Sequence, residues 1–315
     1  MATRYERASK QDPVGPIDPK YTKQMTTPAR YFGYWATGFI AAAIGGLAIG
    51  MLGLGQLWAV LPANRVGQVL YSHQGLTYGG LVIDRKATAA EVCEAMQAIN
   101  NLLRGEGMTK VVYKAIPAVY PLMPADEPLY ALTEVCQAQL MSRDIASVID
   151  REVALPLSEL RRRGRRKAQH QGVSVCYSDD FAAFWQLLTD NLRTKYNARP
   201  VHTLEEITLL RDRFPDNIRL YAAFIGDEMV AGTVLYVTPR VVKTQYISAS
   251  PRGKEVCALD MLFPQLLTDM PGTQRFLDMG TSAMDDSTAL KRPLIFQKEG
   301  FGARAVCYDT YTYEL

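Results

Sequence analysis

From residue 173 onward the apolar and polar positions fall into two clear rhythms. Val173–Tyr177 reads as a strand, and Ser178 stands where an N-cap belongs, ahead of Phe181, Phe184, Trp185, Leu188 and Leu192 at helical spacing. Thr203-Leu-Glu-Glu206 is a capping box, whose hydroxyl and carboxylate satisfy each other's backbone N–H groups. The helix it opens carries Ile207, Leu210 and Phe214 and stops at Pro215. Three strand patterns follow: Ile218–Ile225, a Gly226-Asp227 turn, Met229–Val237, and Val241–Ala249. Next come a loop over Ser250–Ala258, a helix over Leu259–Thr268, a strand at Arg275–Met279, a helical stretch ending near Gly300, and a last strand at Ala303–Tyr313. This order, β-α-α-β-β-β-α-β-α-β, predicts a mixed, mainly antiparallel sheet with helices on both faces. Met229–Val237 and Val241–Ala249 should be antiparallel neighbours.

The preceding stretch is also α/β, with weaker patterning. Leu57–Leu61 is a short apolar strand stopped by Pro62, and Val69–His73 is another, followed by Gly75, Gly79 and Gly80. Thr88-Ala-Ala-Glu91 is a second capping box, opening a helix with Val92, Ala95, Met96, Ile99 and Leu103 on one face and Gly105 and Gly107 at its end. Lys110–Ile116 reads as a strand. Pro117, Pro121, Pro124 and Pro128 make the next segment an irregular loop that includes Tyr120 and Tyr130, and Gln139–Ile149 is a further strand.

The first 56 residues differ from both. Residues 1–30 are polar and proline-containing and read as a flexible arm. No residue from Tyr31 to Asn64 is charged, and Phe32–Leu54 is long enough, at about 1.5 Å per residue, to cross a bilayer as one helix. Gly46 and Gly50 give a GxxxG spacing, and Tyr31, Tyr34 and Trp35 suit an interface. The other reading is an Ala/Gly-rich helix or pair of strands buried in a soluble domain, since seven glycines between Gly33 and Gly55 weaken a helix. One placement of an anchored chain is the cytoplasmic side of the membrane. The cations Arg4, Arg7, Lys10, Lys20, Lys23 and Arg30 ahead of the run favour the opposite topology, which stays open, as does a soluble cytoplasmic chain.

Composition narrows the chemistry. The net charge of +3 does not by itself imply a nucleic-acid partner. Five cysteines, never spaced as CxxC, argue against a disulfide framework or a structural zinc site. HExxH, GxSxG, P-loop and GxGxxG patterns are all missing. One charge cluster stands out: Arg161, Arg162, Arg163, Arg165, Arg166 and Lys167, in a helix over Leu157–Gln169 that reads as a linker and is also able to contact the phosphates of a tRNA, a coenzyme or a lipid.

The element order, with a loop between the fourth strand of the C-terminal half and the next helix, resembles the GNAT acyltransferase fold. Three stretches resemble its Fem-type branch: Tyr71-Ser-His-Gln-Gly-Leu-Thr-Tyr-Gly-Gly80, Thr244-Gln-Tyr-Ile-Ser-Ala-Ser250, and Leu294-Ile-Phe-Gln-Lys-Glu-Gly-Phe-Gly302 followed by Tyr308-Asp-Thr-Tyr311. The resemblance covers about Leu57–Leu315. It implies tandem GNAT-like domains, 57–156 and 173–315, joined by a basic linker helix at 157–172 and preceded by the apolar segment at 31–56. The first domain is small and lacks the family's usual opening strand and helix. The implied activity is transfer of an acyl or aminoacyl group, from acyl-CoA or aminoacyl-tRNA, to an amine or hydroxyl of a cell-envelope precursor. No cofactor is tightly held. The alternative is a non-catalytic, membrane-tethered accessory subunit.

The resemblance also implies site residues. Arg252, Gly253, Lys254, Val256, Cys257 and Ala258 form the loop whose amides, with the helix N-terminus, would bind a donor pyrophosphate. Glu255 and Cys257 depart from the small residues usual there, and Glu255 would repel that anion. Lys298 matches the lysine implied to stabilise the oxyanion; otherwise it is a surface lysine near a helix C-terminus. His73 is a candidate general base or a hydrogen-bonded structural histidine. Gln74, Tyr78 and Tyr246 are candidates for binding substrate, or for packing with a satisfied polar tip. Asp260 reads as a favourable acid in the first turn of its helix.

Overall fold

The computed structural model describes residues 47–53, 56–270, 272–284 and 287–315. The chain forms two compact units, one of residues 47–145 together with Val306–Leu315, the other of Ala146–Ala305. The division thus falls inside a strand, and the final strand belongs with the first unit.

The first unit contains strands β1 (Leu47–Gly53), β2 (Gln56–Val66), β3 (Val69–Tyr71), β4 (Val82–Ile83) and β5 (Lys110–Lys114), helices α1 (Ala89–Gly105) and α2 (Glu127–Glu134), and the first half of β6 (Gln139–Asp150). The last strand of the chain, β14 (Arg304–Glu314), pairs antiparallel with β5, giving the order β1-β2-β3-β5-β14 with β4 on β2. Thr88 and Glu91 form the capping box of α1. Its Val92, Met96 and Ile99 pack with Leu61, Leu70, Tyr113 and Leu132. The hydroxyl of buried Tyr113 accepts a hydrogen bond from the Leu81 N–H at 2.6 Å.

Three expectations for this unit are corrected. Strand β2 is not stopped by Pro62 but runs through it to Val66, with Pro62 opposite Ala48 of β1. A proline lacks an N–H but keeps φ near the extended range, so an antiparallel strand can continue where that donor is not used. The proline-rich stretch ends in a helix rather than a loop, because Pro128 occupies the first turn of α2, where no N–H partner is needed. Of the apolar stretch Phe32–Leu54, residues Leu47–Gly53 form a strand paired with β2 rather than part of one continuous helix; residues 32–46 and Leu54 lie outside the described residues. Among the described residues no helix is long and apolar enough to cross a membrane.

The second unit comprises the end of β6, α3 (Glu159–His170), β7 (Val173–Ser178), α4 (Phe181–Tyr196), α5 (Leu204–Arg213), β8 (Ile218–Ile225), β9 (Glu228–Val237), β10 (Val241–Ala249), α6 (Pro251–Glu255), α7 (Ala258–Asp269), β11 (Phe276–Thr281), the short pair β12 (Ala283–Met284) and β13 (Ser287–Leu290), and α8 (Arg292–Glu299). Its sheet runs β6-β11-β10-β9-β8-β7. β9 and β10 are antiparallel neighbours, with Val242 opposite Val237 and Ala249 opposite Ala231. β10 and β11 are parallel, and their ladder covers only Val241–Lys243 against Phe276–Asp278. Val230, Leu235, Leu262, Phe263, Leu277 and Phe301 are among the residues of the core. The α4 cap is Asp180, whose carboxylate accepts from Ala183 N–H, while the expected cap Ser178 bonds Asp180 N–H instead.

Candidate functional site

The segment after β10 is not the open loop the pattern suggests. Ser250 caps a one-turn helix, α6, and its side chain and carbonyl accept from the N–H groups of Gly253 and Lys254 at 3.0 and 2.9 Å. The Val256 and Cys257 N–H groups bond the carbonyls of Arg252 and Lys254 at 3.0 and 3.2 Å, so four of the expected anion-binding amides are used within the turn. Cys257 takes a left-handed conformation (φ 59°) that turns the chain into α7. Gly253 is required by close approach: a Cβ there would lie 2.1 Å from the Val230 carbonyl oxygen.

The basic helix is not a linker. α3 packs on α7, and Gly164 permits it, because a Cβ at that position would fall 1.8 Å from the Asp260 carboxylate. Arg161 meets that carboxylate at 2.5 Å, with side-chain exposures of 15% and 6%. Asp260 is therefore half of a buried ion pair, beyond the helix-end role expected of it. Burial pushes its carboxyl above the usual range while Arg161 pulls the other way. Arg162, Arg163 and Arg166 share the single carboxylate of Glu159.

Between α3 and the α6–α7 turn lies a cleft of about 420 Å³. Its lining includes the cations Arg161, Arg163, Lys167 and Lys254, the acid Asp260, and Gly253, Cys257, Leu259 and Gln297. Four cations against one acid, itself already paired, give the cleft a net positive charge that comes from side chains rather than from a crown of amides. Glu255 and Arg252 are not in this lining: Arg252 is paired with Glu228 on the surface. Val256 and Ala258 are buried in the core. Lys254 also donates to the Asn191 side chain at 2.8 Å, and burial, then the charge of Lys195, hold its ammonium below the usual range.

Lys298 is corrected from a surface lysine to a buried one, 5% exposed. Its ammonium donates to the carbonyls of Gly280 and Thr281 at 2.8 and 3.0 Å and to Ser282 Oγ at 3.0 Å. An ammonium has three donors, so this geometry commits all of them to holding the end of β11. Burial lowers its pKa to about 8; nearby Asp278 raises it and Lys243 lowers it further. Lys243 and Asp278, side chains 6% and 0% exposed, form their own pair at 3.5 Å. Sequence reading passed over both, although a Lys and an Asp each interrupt an apolar strand pattern.

His73, Gln74 and Tyr78 lie in the other unit. His73 follows β3 in a left-handed conformation, and Lys114 Nζ donates to the carbonyls of Gln74 and Leu76 at 2.9 and 2.7 Å, fixing that loop. Gln74 exchanges hydrogen bonds with the Asn64 side chain. Tyr78 is buried, packing on Tyr120 at 4.4 Å between ring centroids. Tyr246, in the second unit, is half-buried and bonds Nδ1 of His202 at 2.5 Å; sequence reading assigned no role to His202.

Comparison with known proteins gives this geometry a context. Residues 158–286, which include α3, β10 and all of the cleft lining named above except Gln297, match the family described as acetyltransferase (GNAT) domain. No curated protein matches the chain in sequence. The fold resembles that of FemX, with a TM-score of 0.63 and 10% identity over 89% of this chain and 90% of that one. The C-terminal domain of a putative lysylphosphatidylglycerol synthetase from Agrobacterium fabrum gives 0.58 and 12% over 90% and 92%. L-PGS from Bacillus licheniformis gives 0.59 and 12% over 88% and 86%. The cationic cleft at the β10–α7 turn falls largely inside residues 158–286, the part of the chain that matches a GNAT acetyltransferase domain, and the fold of the chain is similar to that of FemX.

Proposed function

We propose that the chain transfers an acyl or aminoacyl group from a phosphate-bearing donor, held in the α3–α7 cleft, to an amine or hydroxyl of a cell-envelope precursor. The observation that carries this is the cleft itself: Arg163, Lys167 and Lys254 converge on one cavity beside the α6–α7 turn, with Asp260 already occupied by Arg161. Side-chain cations suit the phosphates of coenzyme A and of a tRNA acceptor end alike, so the donor is acyl-CoA or aminoacyl-tRNA. The acceptor class is supported by the lysylphosphatidylglycerol synthetases that share the fold. The apolar residues 32–46 support a place at a membrane, and a cytoplasmic donor would put the chain on its cytoplasmic side. Within this scheme Lys298 positions the end of β11, and Arg252 closes the α6 turn on β9 through Glu228.

Titration calorimetry with coenzyme A and with charged tRNA tests the reading. One of them should bind in a salt-dependent way, and Lys167→Ala with Arg163→Ala should weaken it about 10- to 100-fold, as the loss of charge-assisted contacts implies. Absence of binding by either donor overturns it.

A further inference from the structure

Transfer to an amine releases a proton from the attacking nitrogen. Among the described residues lining the donor cleft, the titratable side chains are four cations, Cys257, and an Asp260 held by Arg161. A better-placed proton acceptor lies on the other face of the same sheet. Along β10, Ile247 and Ala249 turn toward the core that contains Leu262 and Phe263 of α7. The intervening positions Tyr246 and Ser248 turn toward α4, as the two-residue period of a strand demands.

On that face Tyr246 meets Trp185 edge-to-face at 5.1 Å, and its Oη lies 2.5 Å from His202 Nδ1. Trp185 Nε1 donates to the His202 carbonyl at 3.2 Å, which fixes the histidine backbone independently of its ring. Ser248, about 7 Å further along the strand, accepts from Asn191, whose Oδ1 takes Lys254 Nζ at 2.8 Å. Lys254 also lines the donor cleft, so a short polar chain joins the cleft to the Tyr246 face. The β10–β11 ladder ends at Lys243–Asp278, three residues before Tyr246, so β10 has no β11 partner beside the pair. In the arrangement proposed, an acyl group on the donor face would cross the sheet beyond that last ladder pair.

Resting on the acyl-transfer reading above, we infer that His202 and Tyr246 are the proton-accepting pair for the acceptor: Tyr246 Oη contacts the attacking amine, and His202 Nδ1 takes up the proton through it. In the step, the amine nitrogen bonds to the acyl carbon as its proton passes to Tyr246 Oη and the phenolic proton passes to His202 Nδ1. The bond from the acyl carbon to the donor's sulfur or oxygen breaks, its electron pair leaves with that atom, and the imidazolium returns the proton to it through solvent. Burial holds His202 below its ordinary pKa, which keeps the ring neutral and ready to accept; Glu206 pulls the other way. Tyr246 from β10 and Glu206 from α5 are the titratable groups facing the ring, and α4 contributes the neutral Trp185.

The test uses the full chain with methoxyamine, which stays unprotonated across the range, as acceptor and acetyl-CoA, or alanyl-tRNA if that is the donor bound, between pH 5.5 and 8.5, with the rate without enzyme subtracted. Tyr246→Phe and His202→Gln should each lower kcat about 10²- to 10⁴-fold, the usual contribution of a positioned base. Donor affinity should stay within about twofold. The double variant should be no worse than either single, and the acidic limb of the wild-type pH–rate profile should vanish. Structural support alone would leave that limb in place. Wild-type failure to bind either donor sinks the underlying reading and this one with it, whereas turnover and pH profile that survive both substitutions sink only this one. Nitrogen-15 spectra of the three histidines supply a readout that needs no turnover. His202 must be neutral at pH 7 with Nδ1 unprotonated, and a protonated Nδ1 overturns the inference.

Discussion

Gly164 offers a test in which two physical arguments predict opposite signs. Replacing a glycine inside a helix by alanine ordinarily stabilises by about 1 kcal/mol, because the backbone loses less freedom on folding. In α3, however, the added Cβ falls 1.8 Å from Asp260 Oδ2 and 2.6 Å from its Cγ. Either α3 moves off α7, at about 1–3 kcal/mol for overpacking, or the carboxylate leaves Arg161 and uncouples a buried ion pair, at about 3–5 kcal/mol. Subtracting the propensity gain, Gly164→Ala should lose about 0–2 kcal/mol by the first route or about 2–4 kcal/mol by the second, each kcal/mol lowering Tm by about 2–4 °C. Urea unfolding followed by circular dichroism measures the difference. Asp260→Ala made in both backgrounds supplies the control: once the carboxylate is gone the clash is gone, and the two substitutions should be strongly non-additive. An alanine variant more stable than wild type, or one additive with Asp260→Ala, would refute the packing of α3 on α7 and with it the shape of the donor cleft.

Other outcomes follow from single contacts. Gly253→Ala drives a Cβ to 2.1 Å from the Val230 carbonyl oxygen; it should lower stability by about 1–3 kcal/mol and abolish donor binding by calorimetry. Tyr113→Phe leaves the buried Leu81 N–H without the hydroxyl that accepts from it at 2.6 Å; the expected loss, read by urea unfolding, is about 1–3 kcal/mol. Lys298, lowered by burial from 10.5 to about 8, gives up its proton in the folded chain while the unfolded chain still holds it. Below pH 8 the buried charge therefore costs the fold up to about 3 kcal/mol, and this cost is relieved as pH rises toward 10.5. Wild type should gain stability relative to Lys298→Met between pH 8 and pH 10, and parallel pH profiles for the two chains would show that the lysine is not desolvated.

The candidate site was legible in parts. Ser250-Pro-Arg-Gly-Lys-Glu-Val-Cys-Ala258 reads as a turn between an apolar strand and an apolar helix, and Gly253, Lys254 and Cys257 of that turn line the cleft. The cluster Arg161–Lys167 contributes Arg161, Arg163 and Lys167 to the same lining. Nothing in their separation of some ninety positions said that they line one cleft. His202 was passed over because a lone histidine before a capping box carries no spacing signal, and its partner lies 44 residues away.

Local physics wrote the elements into the sequence. The capping boxes at Thr88 and Thr203, the turn at Gly226-Asp227 and the apolar runs over Ile218–Ala249 act over a few residues, so their reading survives in the structure. What depends on which surfaces meet was decided by tertiary structure alone. Lys298 reads as exposed because its helix is short and polar around it, yet the end of β11 curls over it and supplies three oxygens. Leu47–Gly53 has the composition of a helix within a longer apolar run, but β2 offers it a ladder, and pairing with an existing strand outweighs weak intrinsic propensity. Asp260 and Gly164, unremarkable by themselves, matter because two helices cross where one has a carboxylate and the other has no side chain.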